Sequence, residues 1–325
     1  MHGSNKTRRG TCGLSQGFTK MKVSGFTLIR NGISFDYPWK ESILSLLLLV
    51  DELVVNVGVG TDETLTEIKK FAKELGQGKI KIFENDWQLD RPEKKRGGLI
   101  LSEQTNLALD RCQNDWCVYL QADEILHEDD ISILRRNLLK YQNHPEVEGL
   151  LFDYVHFYGS YDVIQVSRSA YRREVRAVKK SSGAKSVGDA QSFRKKDGTK
   201  LSVVRSEARV FHYGWVRTPE AMREKTFFMD QLYHGEPILS LESKRTPHTG
   251  DNYKYKKFWG LRTFLGTHPN VMKDRIDKKG WHWNLSESPW VFSLKDLKKI
   301  PLDLIEAVTG HRLFEYCCYK LKRER

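Results

Sequence analysis

Residues 53–83 read LVVNVGVGTDETLTEIKKFAKELGQGKIKIF, and this stretch decides the fold. Its valine-rich start, Leu53 to Val59, reads as a strand. Thr61 or Asp62 can then cap a helix whose apolar positions Leu65, Ile68, Phe71, Ala72 and Leu75 recur with helical spacing, and Gly76 closes it. Lys79 to Phe83 is a further strand. A strand, a helix and a strand joined by short loops form the unit from which parallel sheets are built.

The same rhythm extends in both directions. Upstream, Val23 to Ile29 reads as a strand and Pro38 to Leu49 as a helix entered through Asp36 and Pro38. Downstream, a loop with Pro92, a basic cluster and Gly97-Gly98 leads into a helical stretch through Leu99, Asn106, Leu107 and Arg111, and Trp116 to Leu120 is the fourth strand. The expectation is an α/β fold, a Rossmann-like and mostly parallel sheet with helices on both faces, whose ligands bind at the carboxyl ends of the strands. Past Leu120 the pattern changes to a helix over Asp129 to Tyr141, long strands over Gly149 to Tyr158 and Val203 to Tyr213, and a helix from Thr218-Pro219 to His234 closed by Gly235. Further helical patterns, Leu294 to Ile300 and Leu302 to Lys322, predict a mainly helical carboxyl-terminal extension over 217–325. Residues 1–20, rich in Gly, Ser and Thr and carrying Lys6, Arg8, Arg9 and Lys20, read as a disordered basic leader without the apolar core of a signal peptide.

With 325 residues, 39% hydrophobic and 30% charged, the chain has the composition of an ordinary globular protein. Its longest apolar run, Ile43 to Val50, falls far short of the roughly 20 residues of a spanning helix. The net charge of +12 favours anionic partners, and Arg168 to Arg205 carries 12 basic against 3 acidic residues. That segment is either a solvated surface or a groove for a phosphate-bearing substrate, with Arg168, Arg172, Arg173 and Arg176 spaced to share a helical face. Five cysteines without a CxxC pair read as free thiols in a reducing compartment, hence a cytoplasmic location.

The chemistry concentrates at Tyr119-Leu120-Gln121-Ala122-Asp123-Glu124, a strand ending in adjacent carboxylates. Such carboxylates can hold a hard divalent cation with substrate phosphates completing its shell, or they simply start the next element. His212, in Phe211-His212-Tyr213-Gly214-Trp215, is either a further metal ligand or a structural histidine, and Trp215 either stacks on a ring or belongs to the core.

Four features occur in a telling order: Ile29-Arg30-Asn31, Gly60-Thr61-Asp62-Glu63-Thr64 after the valine strand, the loop and helix around Gly98 and Asn106, and Gln121-Ala122-Asp123-Glu124. Together they resemble family 2 glycosyltransferases of the GT-A fold over residues 22 to 125. The resemblance implies an inverting enzyme that moves a sugar from a nucleoside-diphosphate sugar to a hydroxyl of a glycan or lipid-linked acceptor, with manganese or magnesium on the diphosphate. It implies a nucleotide-sugar-binding half at 21–125 and an acceptor-side half at 126–216. Ile29, Arg30, Asn31, Asn56, Asp62, Gly98, Asn106, Gln121 and Asp123 fall at donor-binding positions and Asp123 and His212 at metal positions, while Trp215 and Arg217, beyond the stretch that carries the resemblance, are donor-binding candidates by residue type. Two positions depart from the family pattern. Gln121 stands where the metal motif has its first aspartate, and Asn56-Val57-Gly58 stands where many members carry adjacent aspartates against the base.

Sugar transfer also needs a base for the acceptor proton. Asp189, in Val187-Gly188-Asp189-Ala190-Gln191, is the first candidate and Glu207 the second, with an ion pair to a neighbouring cation as the other reading of Asp189. Arg217 and Lys225 are candidates to stabilise the leaving group. A non-catalytic basic nucleic-acid-binding protein is the alternative of a different class, although no nucleic-acid-binding motif is present and nucleic acid is not the expected partner. A nucleotidyltransferase would share the strand-end metal site, but Ile29-Arg30-Asn31-Gly32-Ile33 is not a glycine-rich phosphate loop. Gly310 to Arg325 combines Leu313, Phe314, Tyr316 and Leu321 with five basic residues, which as a helix either packs on the domain or rests peripherally on the inner face of an anionic membrane.

Overall fold

The structure, a computed structural model, describes residues 21–94, 96–234, 253–292 and 294–322. The expected leader at 1–20 and the helix-closing Gly235 lie outside the described residues. Four parallel strands, β1 (Val23–Ile29), β2 (Glu52–Gly58), β3 (Ile80–Asn85) and β4 (Trp116–Tyr119), stand in the order β4-β1-β2-β3. Helices α1 (Trp39–Leu47), α2 (Thr64–Leu75) and α3 (Leu99–Arg111) connect them. Successive residues of a strand point to opposite faces. Val55 therefore packs with Leu46, Ile68 and Phe71 of α1 and α2, while Val54 packs with Phe26, Ala108 and Leu109 on the α3 side. Burial on both faces is the physical reason β1, β2 and β4 read as largely apolar runs, whereas β3 at the sheet edge alternates.

Beyond β4 the sheet becomes mixed. β5 (Glu124–Leu126), α4 (Ile131–Lys140), β6 (Gly149–Tyr158), β7 (Ser160–Gln165), β8 (Arg173–Lys179), β9 (Ala184–Val187), β10 (Ser192–Lys195) and β11 (Ser202–Trp215) follow. β8 lies antiparallel between β4 and β6, β11 runs parallel to β6 and antiparallel to β5, and β9 and β10 form a separate hairpin. α5 (Pro219–His234), β12 (Leu261–Thr263), α6 (Lys273–Asp277), α7 (Leu294–Thr309) and β13 (Lys320–Leu321) complete the chain. This mixed sheet flanked by helices, with a carboxyl-terminal helical extension, is consistent with a GT-A, Rossmann-like fold.

Most expected elements form within a few residues of their predicted ends, and Thr218 caps α5 as expected, its Oγ1 accepting from Ala221 N at 3.2 Å. Gly76 closes α2 for a different reason from a left-handed turn: its φ is −74°, and a Cβ there would meet the Ala72 carbonyl at 2.5 Å. Two expectations fail. Arg168, Arg172, Arg173 and Arg176 do not share a helix, because Arg173 to Lys179 is β8 and the arginines pair with Asp303, Glu315, Asp153 and Glu124 in turn. The helix expected over 302–322 also does not form. Instead α7 runs from Leu294 through Pro301 to Thr309 and stops at Gly310, which takes a left-handed φ of 70°, after which β13 pairs with β11. No helix among the described residues is long and apolar enough to cross a membrane.

Candidate active site

From β1 the chain moves outward through β2 and β3 and then returns to place β4 on the other side of β1, so the strand order reverses between β1 and β4. A crevice opens at the carboxyl ends of strands at such a switch point. Here it is a cavity of about 430 Å³, walled by Ile29 and Arg30 after β1, Gln121 and Asp123 after β4, Asp189 and Gln191, His212 and Trp215 of β11, and Lys225 and Tyr233 of α5.

The adjacent carboxylates part company. Glu124 begins β5 and turns away from the cavity, fully buried, where Arg176 Nε and Nη2 donate to it at 2.9 and 2.8 Å and Tyr154 Oη at 2.8 Å. It also accepts from the Gln121 backbone N at 3.1 Å, so Glu124 pins the turn that presents its neighbour. Asp123 faces the cavity. Lys225 Nζ donates to its Oδ2 at 3.0 Å and Arg217 Nη2 at 3.3 Å. Burial alone would push the Asp123 pKa up, but the adjacent cations, Lys225 first, outweigh it and hold the carboxylate well below its ordinary range. Burial, aided by the nearby Arg217, in turn brings Lys225 down to about 8 against the pull of Asp123.

The other carboxylate oxygen, Oδ1, faces His212 Nε2 at 3.8 Å. A carbonyl can only accept, so His156 Nε2–H donates to the Tyr171 carbonyl at 2.7 Å. Burial lowers His156 to about 3 and keeps it neutral, so its bare Nδ1 accepts from His212 Nδ1–H at 2.9 Å. His212, its own pKa lowered by burial, is left with a lone pair on Nε2 directed to the side where Asp123 Oδ1 lies. Gly214 keeps this gap open: a Cβ there would lie 2.4 Å from His212 Nε2 and 3.4 Å from Asp123 Oδ2. An imidazole nitrogen and a carboxylate oxygen across an open cradle suit a divalent cation that draws its remaining ligands from phosphate and water. No group of three or more His, Cys, Asp or Glu side chains converges among the described residues.

Other expected site residues divide into two sets. Ile29, Arg30, Gln121, Asp123, Asp189, His212 and Trp215 line the cavity. The Arg30 guanidinium lies 5.7 Å from the Trp87 ring and 5.3 Å from the Phe228 ring, and its Nε donates to the Val59 carbonyl at 2.7 Å. Asp189 Oδ2 accepts from Tyr233 Oη at 2.8 Å, so its partner is a phenol, not the ion pair considered from sequence. Gly98, with φ 70°, abuts it from behind, a Cβ there meeting Asp189 Cβ at 2.9 Å.

Asn31, Asn56, Asp62, Asn106, Arg217 and Glu207 stand outside the lining. Asn31 Oδ1 accepts from Thr61 N at 2.9 Å, and Asp62 accepts from the backbone N of Ile33, Ser34 and Thr64. Asn56, buried on β2, donates to Gln104 of α3, and Asn106 exchanges two bonds with the Ser186 backbone. The adjacent Gly58 meets Trp87, whose Nε1 a Cβ would approach to 2.5 Å. Arg217 is fully buried behind Asp123, donating to the Phe35 carbonyl at 2.6 Å. Glu207 sits exposed at φ 59° in the bulge of β11. The structure therefore does not bring it to the cavity.

Sequence reasoning missed His156, Tyr171, Trp87, Phe228 and Tyr233. One signal was present: Met222, Lys225, Thr226, Met229 and Tyr233 recur at helical spacing and form the face of α5 that lines the cavity.

No protein-family model matches this chain, and no curated protein matches it in sequence. Among solved structures, S. aureus TarS is similar at 14% identity, TM-score 0.37, over 64% of this chain and 39% of that one. Its 1–349 fragment in complex with UDP is similar at 16% identity, TM-score 0.36, over 64% of each chain. The mannosyltransferase PcManGT from Pyrobaculum calidifontis, in complex with GDP-Man and Mn2+, is similar at 18% identity, TM-score 0.31, over 43% of this chain and 37% of that one. The chain thus spans less than two thirds of the length of each of these structures.

Proposed function

We propose that the cleft between β1 and β4 transfers a sugar from a nucleoside-diphosphate sugar to a hydroxyl of a glycan or lipid-linked acceptor, with inversion, in the manner of family 2 glycosyltransferases. The observation that carries this reading is one carboxylate, Asp123, held ionised at the switch point, with a second, Asp189, on the wall of the same cavity. A divalent cation, manganese or magnesium, supplies positive charge to the diphosphate when bound, and Asp123 Oδ1 and His212 Nε2 are the groups that would hold it. Lys225 contributes a further positive charge to the departing diphosphate. Asp189, oriented by Tyr233, takes the acceptor proton as the acceptor oxygen bonds to the anomeric carbon. The bond from that carbon to the diphosphate oxygen breaks on the opposite face, and the diphosphate leaves with the electron pair. Arg30 between Trp87 and Phe228 offers a flat cationic surface for the nucleotide, and Trp215 an aromatic face for a sugar. A cytoplasmic location, read from five cysteines without a CxxC pair, belongs to the same proposal.

Thermal shift with UDP, GDP, dTDP and CMP, each with and without manganese, tests this on wild type and Asp123→Ala. A nucleotide at a hundredfold its Kd stabilises the native state by about 2.7 kcal/mol. The expected result is one diphosphate that stabilises wild type only with metal and leaves Asp123→Ala at its own ligand-free melting point. If no nucleotide shifts the protein and single-stranded nucleic acid does, the enzyme reading is abandoned.

A further inference from the structure

Independently of the activity proposed above, we propose that α7 and the stretch leading into it form a surface that docks on an anionic lipid bilayer. α7 is inside-out. None of its described residues is fully buried, and its apolar side chains face water: Leu294 is 81% exposed, Leu297 59%, Leu304 53%, Ile305 40% and Val308 86%. At about 100° per residue these five and Pro301 fall within one arc of roughly 100°. Asp303 and Glu306 lie on the opposite side and bind the body, as does Lys299, whose Nζ donates to Ser169 Oγ at 2.7 Å.

Trp259 Nε1 donates to Asp303 Oδ2 at 2.9 Å, and the Arg168 backbone N to Oδ1 at 3.2 Å. Arg312 Nε donates to Glu306 Oε2 at 2.7 Å, and Arg172 Nη1 stands 3.3 Å from Oε1. These directed contacts fix the rotation of the helix. Turning the apolar arc inward would take Asp303 and Glu306 away from Arg168, Arg172 and Arg312.

The apolar surface continues beyond the helix. Trp290 and Phe292, both more than half exposed, stack at 5.2 Å, and Trp290 lines a groove of about 350 Å³ together with Leu304 and Arg262. Cations rim this surface: Lys298 is exposed beside the arc, Lys257 Nζ lies 4.8 Å over the Trp290 ring, and Arg262 is exposed at the groove. The carboxylates Asp303, Glu306 and Glu315 are turned inward to arginines.

An apolar face carrying Trp and Phe and rimmed by Lys and Arg complements a layer of anionic headgroups over acyl chains. Against a second copy the same face would set one cationic rim against another, which disfavours self-association. The lipid surface is the occupant that charge complementarity selects.

Co-sedimentation of the full chain with vesicles of phosphatidylcholine alone, and of phosphatidylcholine with one third phosphatidylglycerol, tests the proposal. Wild type is expected to pellet with the anionic vesicles and to be released as salt rises. The doubly substituted Leu297→Glu, Val308→Glu chain is expected to bind at least about tenfold more weakly at an unchanged melting temperature, since both sites are exposed. Lys298→Glu provides a second variant with the apolar arc intact and is expected to weaken binding less. The proposal is overturned if wild type stays in the supernatant with anionic vesicles, if it binds neutral vesicles equally well, or if the double variant binds like wild type. It is equally overturned if wild type is a dimer that the double variant splits, because the face then belongs to a second copy.

Discussion

Arginine meets carboxylate in two regions of this molecule, with different surroundings. Beneath the cleft, Arg176 and Glu124 are both fully buried, bonded through two parallel N–H donors, and the guanidinium lies between the rings of Tyr119 and Tyr154 at 5.4 and 5.3 Å. Under α7, Arg168, Arg172 and Arg312 gather around Asp303, Glu306 and Glu315 with side chains 6–27% exposed. The first pair has given up its water entirely, so its geometry is obligatory. The second cluster keeps partial access to solvent, which can take the place of a lost partner. The first therefore holds the acidic turn in place, and the second sets the rotation of a helix.

Four substitutions sharpen that contrast. Arg176→Met should cost the most, about 3–5 kcal/mol in denaturant unfolding, because it leaves Glu124 buried and uncompensated. Adding Glu124→Gln should recover part of the loss, and a double variant as unstable as the single one would show that the pair is not the cause. Next comes Glu174, on the same strand as Arg176, whose Oε1 accepts from Gln191 while Oε2 is buried without a partner. Burial raises its pKa to about 7 from 4.5, so between these values the folded chain holds a proton that the unfolded chain releases. Stability therefore falls as pH rises through that window. Glu174→Gln should gain up to ~3 kcal/mol at pH 8 and nothing near pH 4, and equal gains at both would refute the assignment. The smallest effect belongs to the helix cluster, where Glu306→Gln should cost about 1 kcal/mol and lose significance in high salt. A cost equal to that of Arg176→Met would erase the distinction between the two regions.

Particular elements show what is legible in the chain. β1, β2 and β4 are buried on both faces, so each reads as an apolar run without reference to any other residue. α5 is marked by Thr218 and by its apolar spacing. The basic segment is not readable in this way. The arginine-rich stretch containing β8 has a charge pattern that suits a helix face, and only partners as distant as Glu124, Asp153 and Glu315 explain the arginines. The site divides likewise. Asp123 and His212 stand out as residue types at strand ends, whereas Asp62, Asn56 and Asn106 look like ligand contacts and are engaged with backbone and amide groups. A short polar side chain can serve a ligand or a backbone N–H equally well, and the sequence does not say which is near.

By itself, then, the sequence determined the alternation of strands and helices, the position of the acidic turn after the fourth strand, and the sign of the overall charge. These depend on near neighbours along the chain or on composition. The tertiary structure decided which of two adjacent carboxylates faces the cleft, which nitrogen of His212 carries its proton, and which side of α7 meets water. Each of these is set by a partner dozens of residues away, whose charge, burial and hydrogen bonding act only once the chain has folded.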